Sequence, residues 1–383
     1  MSNLRYILDS DFRSNPGYEL IEWNRLSQPE QQSLAGLCED PEVFGIFKPT
    51  IADPTLSYKV AYKEVALLFY VLQQQSALPA YTRIDEIETV NKQIARLVME
   101  GILEIRGDDE FYSGAAAHDL LYKRAAAAKG VSLIGQLSID ALRYAAHLPV
   151  TDIRALASRL YSYNTRPVLA EKAAGLSRPA DVEAFLGVGK TAVLGRDWEQ
   201  HTGGKWLYWS RKGMRGSSGE NISIYKLYIS PVFELLPETF QKSIAALTAS
   251  RAFSFKVGND FHGLVRPDKM VVYFYTREDL FEAAASLWSA LDNITPQGVP
   301  FTAQLDDSGL LSWGVDPPGR DVLENFEGGS WRARVTERLA AALAKALGEG
   351  LPLQEIVDYA LNRIGLEGID TNSWIPEKNI WKN

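Results

Sequence analysis

The 383-residue chain has a single cysteine, Cys38, and four histidines, His118, His147, His201 and His262, scattered without metal-ligand spacing. One cysteine excludes an intramolecular disulfide and a cysteine-rich zinc site, and points to a reducing cytoplasm. Without an HExxH segment or a His/Cys cluster, no metal centre is expected. No apolar run approaches the roughly 18–20 residues of a membrane-spanning helix. The opening "MSNLRYILDSDFRSN" carries charge where a signal peptide needs its apolar stretch. Neither a membrane partner nor a cofactor is expected.

Positive charge is in the minority: the formal net charge is −8, yet residues 201–277 hold eleven Lys and Arg against five Asp and Glu. A basic segment inside an acidic protein argues against nucleic-acid binding, which uses a whole basic face, and suits a focused anionic substrate. The plain alternative is that these side chains solvate strand edges.

Periodicity divides the chain into a winged-helix-like region over 1–120, a helical connection over 121–200 and an α+β domain over 201–383. In the first, mostly helical part, "YKVAYKEVALLFYVLQQQ" and "ETVNKQIARLVMEGILEIR" have apolar residues at helical spacing, and "ILEIRGDDEFYSG" alternates around a turn. Helix then hairpin is the order of a winged helix. The acids around Lys92 and Arg96 favour docking of a peptide or protein, or a purely structural role, over DNA binding. Within the Ala-rich second part, "FLGVGKTAV" ends like a P-loop but has Ala184 where the motif needs its first glycine, and a helix is expected to feed it. From residue 205, aromatic and β-branched runs ("KWLYWSR", "ISIYKLYIS", "AFSFKVG", "MVVYFYT") alternate with helical segments. They predict a mixed sheet with packed helices.

The order "IYKLYIS", helix, "FSFKVG", "RPDKMVVYF", helix, "GVPFTAQ…GLLSWGV" resembles the HopA-like family over about residues 205–383. That family includes type III effectors of plant pathogens and the lyase components of class V lanthipeptide and thioamitide biosynthesis. More distantly, the pattern is similar to the phosphothreonine lyases, which remove phosphate by elimination. Their strand of Lys-Phe-His-Ile-Ser type lies over Lys226–Ser230, and their catalytic lysine over Lys256. Their general-acid histidine falls on Tyr228. Tyr228 then takes over that role, or His262 reaches in from the loop, or no such acid is used.

The resemblance implies a phosphoserine/phosphothreonine lyase acting on a phosphorylated precursor peptide, with Lys256 as base. Such an elimination needs a neutral base for the Cα proton and cations for the departing phosphate. Lys256 sits between Phe255 and Val257, ahead of Arg266 and Lys269, where burial and cations would lower its pKa. The candidate phosphate ligands are Arg211, Lys226, Arg266, Lys269, Arg332 and Arg334, with Arg215 in a glycine-rich flap. Gly328-Gly329-Ser330 offers a helix N-cap and free amides for an anion. No kinase loop occurs, so a separate kinase would install the phosphate and a partner cyclase could use the product. Two alternatives stand beside this reading: a non-catalytic phosphopeptide-binding module, and a winged-helix regulator.

Overall fold

The computed structural model describes residues 3–34, 40–51, 58–83, 86–123, 132–213, 223–317, 329–378 and 380. Cys38 and the stretch holding Arg215 lie outside them.

The C-terminal part is an α+β layer built on a seven-stranded sheet. Its strands, in spatial order, are Ala303–Gln304, Leu311–Val315, Tyr225–Ile229, Met270–Phe274, Ser254–Gly258, Trp206–Arg211 and Trp198–Gly203. Every neighbouring pair among them is antiparallel, in place of the mixed sheet expected. The helical crossover from Tyr225–Ile229 to Ser254–Gly258 does join two strands of one direction. The Met270–Phe274 strand then inserts between them, antiparallel to both.

One face of this sheet is the core. Leu227, Phe255, Val257, Val272 and Phe274 are fully buried there, beneath the helices Leu236–Ala249 and Arg277–Ala290. The first helix turns Leu236, Phe240, Ile244 and Leu247 inward, the i, i+4, i+8, i+11 stripe of an amphipathic helix. Phe255 stacks on Trp209 at 4.9 Å between ring centres and meets Trp198 edge-on at 4.9 Å. Truncating such a ring costs about 3–5 kcal/mol. The second helix is capped by Thr276, whose hydroxyl accepts from the Asp279 amide.

The N-terminal region is less helical than its periodicity suggests. It holds a three-stranded sheet (Tyr18–Glu22, Val43–Pro49, Lys59–Tyr62) and a four-stranded one (Ser76–Ala77, Asp11–Ser14, Leu103–Arg106, Phe111–Tyr112). Strands of two to seven residues give too few alternations to stand out from a helical pattern. The expected helix Ile87–Met99 and the hairpin after Gly101 are present. One buried apolar cluster runs from Ile7 through the large sheet to Trp374. The P-loop-like segment follows a helix, Pro179–Leu186, that ends at Gly187 with φ of 70°, and no strand feeds it.

Candidate functional site

Strand alternation puts the opposite set of residues on the second face of the sheet. Lys226 and Tyr228 share it, as their spacing predicts. Cross-strand register sets Lys226 beside Tyr273 and Gly314, and Lys256 beside Val271 and Tyr208.

The Lys256 amine occupies an aromatic box. Its Nζ lies 4.1 Å from the centre of the Trp206 ring, 5.7 Å from Tyr273 and 5.8 Å from Tyr208. Among the described residues it has no ion pair or side-chain hydrogen bond. Burial, and after it the nearby Lys226 cation, lowers its pKa from the ordinary 10.5 to about 8.

Lys226 is treated differently. It is buried, and its Nζ lies 2.6 Å from Asp316 Oδ2 and 5.6 Å from the Tyr273 ring centre. Asp316 Oδ1 accepts from the Trp331 amide at 2.8 Å, the first residue of the helix Trp331–Gly348. The anion at this helix N-terminus is therefore a side chain of the protein itself. Burial still pushes the Asp316 carboxyl up, outweighing the Lys226 charge. Gly314 makes the docking possible, because a Cβ there would lie 2.3 Å from the Trp331 ring.

Asp268 joins the remaining cations. Its Oδ1 accepts from Arg266 Nε at 2.8 Å, and its Oδ2 accepts from Arg266 Nη2 at 2.8 Å and from the Tyr161 hydroxyl at 3.1 Å. Arg332 Nη1 is 2.9 Å from the same Oδ2. Burial acts to raise the Asp268 pKa, but the Arg332 and Arg266 guanidiniums outweigh it and hold the carboxyl well below its ordinary range. Arg266 keeps 28% of its side chain exposed, 5.3 Å from the Trp206 ring centre and 5.6 Å from that of Tyr161.

The structure therefore brings Lys226, Tyr228, Lys256 and Arg266 to one face and its rim, and sorts the other candidates elsewhere. Arg332 is 1% exposed, and it spends Nε on the Pro300 carbonyl and Nη2 on the Tyr161 carbonyl. Its guanidinium meets Asp268 and lies 4.4 Å from the Tyr161 ring centre. Lys269 is fully buried, donating to the Pro231 carbonyl at 2.8 Å and to Gln297 Oε1 at 2.7 Å, and burial lowers its pKa to about 7. Arg211 lies on the core face, with its guanidinium on the Leu247, Thr248 and Ala252 carbonyls at the end of a helix. Arg334 lines a separate small cavity with Arg96, Arg338 and Glu367. The fold gives Arg332, Lys269, Arg211 and Arg334, four of the expected phosphate ligands, other partners or another place, which local basic spacing did not reveal.

His262 is exposed on the short helix Phe261–Leu264 and lines a neighbouring cleft with Arg266 and Tyr161. No described interaction links it to Lys256. Tyr228 is 3% exposed and packs on Val271 and Val299. Burial raises its phenol well above the ordinary value, so it stays protonated. Trp206, Tyr208 and Tyr273 were missed as site residues, although the alternation in "KWLYWSR" and "MVVYFYT" places them on one face. Asp268 sat unread between Arg266 and Lys269. Asp316 and Tyr161 carry no local signal.

No protein-family model matches the chain, and no curated protein matches it by sequence. Among solved structures, an effector protein from Pseudomonas syringae pv. tomato strain DC3000 is similar at 15% identity over 64% of this chain and 98% of its own, with a TM-score of 0.41. The type III effector/phosphothreonine lyase OspF from Shigella flexneri is similar at 15% identity over 42% of this chain and 90% of its own, with a TM-score of 0.28. The VirA (SpvC) phosphothreonine lyase effector from Chromobacterium violaceum is similar at 16% identity over 38% of this chain and 75% of its own, also with a TM-score of 0.28. The likeness is distant, and the chemistry of the site has to be carried by its own residues.

Proposed function

We propose that the protein is a phosphoserine/phosphothreonine lyase that converts the phosphorylated residue of a precursor peptide to dehydroalanine or dehydrobutyrine. One observation carries the reading: Lys256 is a half-buried amine with its pKa lowered to about 8, boxed by Trp206, Tyr208 and Tyr273 and without a carboxylate partner. An amine in that state is a base near neutral pH.

In the reaction, the Lys256 lone pair takes the Cα proton. The Cα–H electron pair becomes the second bond between Cα and Cβ, the Cβ–O bond breaks, and its electrons leave with phosphate. Arg266 and Lys226 stand nearest to receive that charge, each already held by a carboxylate, Asp268 and Asp316. The Tyr228 phenol, kept protonated by burial, is suited to hydrogen-bonding the bridging oxygen more than to giving up its proton. A separate kinase would supply the substrate, and a cyclase could consume the dehydro product.

The phenol at position 228 favours a second reading, a module that grips a phosphopeptide without turnover. Incubating the purified protein with phosphothreonine peptides separates the two by mass spectrometry. Loss of the elements of H3PO4 supports the lyase; loss of HPO3 alone indicates a phosphatase; an intact but bound peptide supports the binding module.

A further inference from the structure

The cleft beside the base box has no role in the elimination described above. It has a volume of about 450 Å³ and lies among the helices Ile153–Ser162, Phe261–Leu264 and Trp331–Gly348. That size falls within the roughly 300–1,000 Å³ of ligand pockets. Tyr161 and Arg266 belong to its wall and also to the Asp268 cluster. From Lys256 the steps run 4.1 Å to the Trp206 ring, 5.3 Å on to Arg266 and 5.6 Å on to Tyr161. A peptide crossing them in extended form, at about 3.3–3.6 Å per residue, covers the path within about four residues.

We infer that this cleft is a specificity subsite for an apolar side chain of the same peptide, within four residues of the phosphorylated one. The inference rests on the lyase reading for its occupant. Its chemistry comes from the lining. Ala157 and Val265 are buried there, and Val168 stands 46% exposed at the rim. Arg154, His262, Arg266 and Glu337 also stand around the cleft, but the surface that faces it is mostly carbon, and several of its polar side chains have internal partners. Ser162 donates to the Ser158 carbonyl at 2.6 Å, Thr336 to the Arg332 carbonyl at 2.8 Å, and Tyr161 to Asp268. What they offer a guest is methyl and ring surface. A polar guest would leave water for a mostly carbon surface, whereas an apolar one gains from the same move.

The test uses the full chain and four substrates: phosphothreonine peptides identical except for Leu, Ala or Glu at the flanking positions, and N-acetyl-phosphothreonine methylamide, which has no flanks. Expected are a kcat/KM at least tenfold higher for the Leu peptide than for the other two, and loss of that preference in Ala157→Trp with the flankless substrate unaffected. Val168→Asp, on the exposed rim, gives the same answer should Ala157→Trp fail to fold. Equal rates for the three parent peptides, or an equal drop on all four substrates in the variants, overturn the subsite. If the parent eliminates phosphate from none of them, the lyase reading fails by itself. Fluorescence anisotropy with the unphosphorylated peptides then decides the cleft. Tighter binding of the Leu peptide, lost in Val168→Asp, sustains it, and no difference overturns it.

Discussion

Lys226 lies 2.6 Å from the carboxylate of Asp316, whereas Lys256, two strands away on the same sheet face, meets three aromatic rings and no carboxylate. Both amines flank the Tyr273 ring, at 5.6 and 5.7 Å. Lys226 has a carboxylate partner, whereas the Lys256 amine has its pKa lowered by burial and then by the charge of Lys226.

Lys256→Met removes the amine and keeps most of the apolar stem, so the fold should survive. Elimination should fall by about 10²–10⁴-fold, while phosphopeptide affinity, measured by anisotropy, changes far less. An unimpaired rate would remove Lys256 from the mechanism.

The rate should follow the neutral fraction of Lys256. It climbs about tenfold per pH unit below its pKa of about 8 and levels off above it. Lys226→Ala removes the neighbouring cation and frees the Asp316 carboxylate, and both changes favour protonated Lys256. The midpoint of the pH–rate curve should therefore move to higher pH. A midpoint that stays in place would mean that another group limits the rate.

Asp268→Asn should have two separable effects. Leaving two guanidiniums without their carboxylate costs about 3–5 kcal/mol of stability, read by denaturant unfolding. The Asp268 charge also raises the Lys256 pKa, so its loss should move the pH–rate midpoint downward while KM rises. Destabilisation without a shifted midpoint would leave Asp268 a purely structural residue.

Lys269→Met should weaken the fold and spare phosphopeptide binding. It orphans the Pro231 carbonyl and Gln297 Oε1, at about 1–3 kcal/mol for each unsatisfied group. The folded pKa of about 7 lies below the ordinary 10.5, so across that interval the unfolded chain binds the extra proton and stability rises with pH. Chemical denaturation at pH 7 and pH 10 should show a smaller rise in the variant. A large loss of phosphopeptide affinity in the folded variant would return Lys269 to the site.

What the sequence determined was local. The apolar flanks of Lys256, the shared face of Lys226 and Tyr228, the Ser330 cap and the helices over the sheet follow from periods of two and 3.6 residues. The short N-terminal strands fell below the resolution of that signal. Tertiary structure decided which cations are free to act. Arg211 and Lys269 look as available as Arg266 in the sequence, yet backbone carbonyls brought in from other elements claim them. Asp316 lies ninety residues from Lys226, and Tyr161 more than a hundred from Asp268. A buried charge must find its partner wherever the fold delivers one, and no local pattern records that meeting.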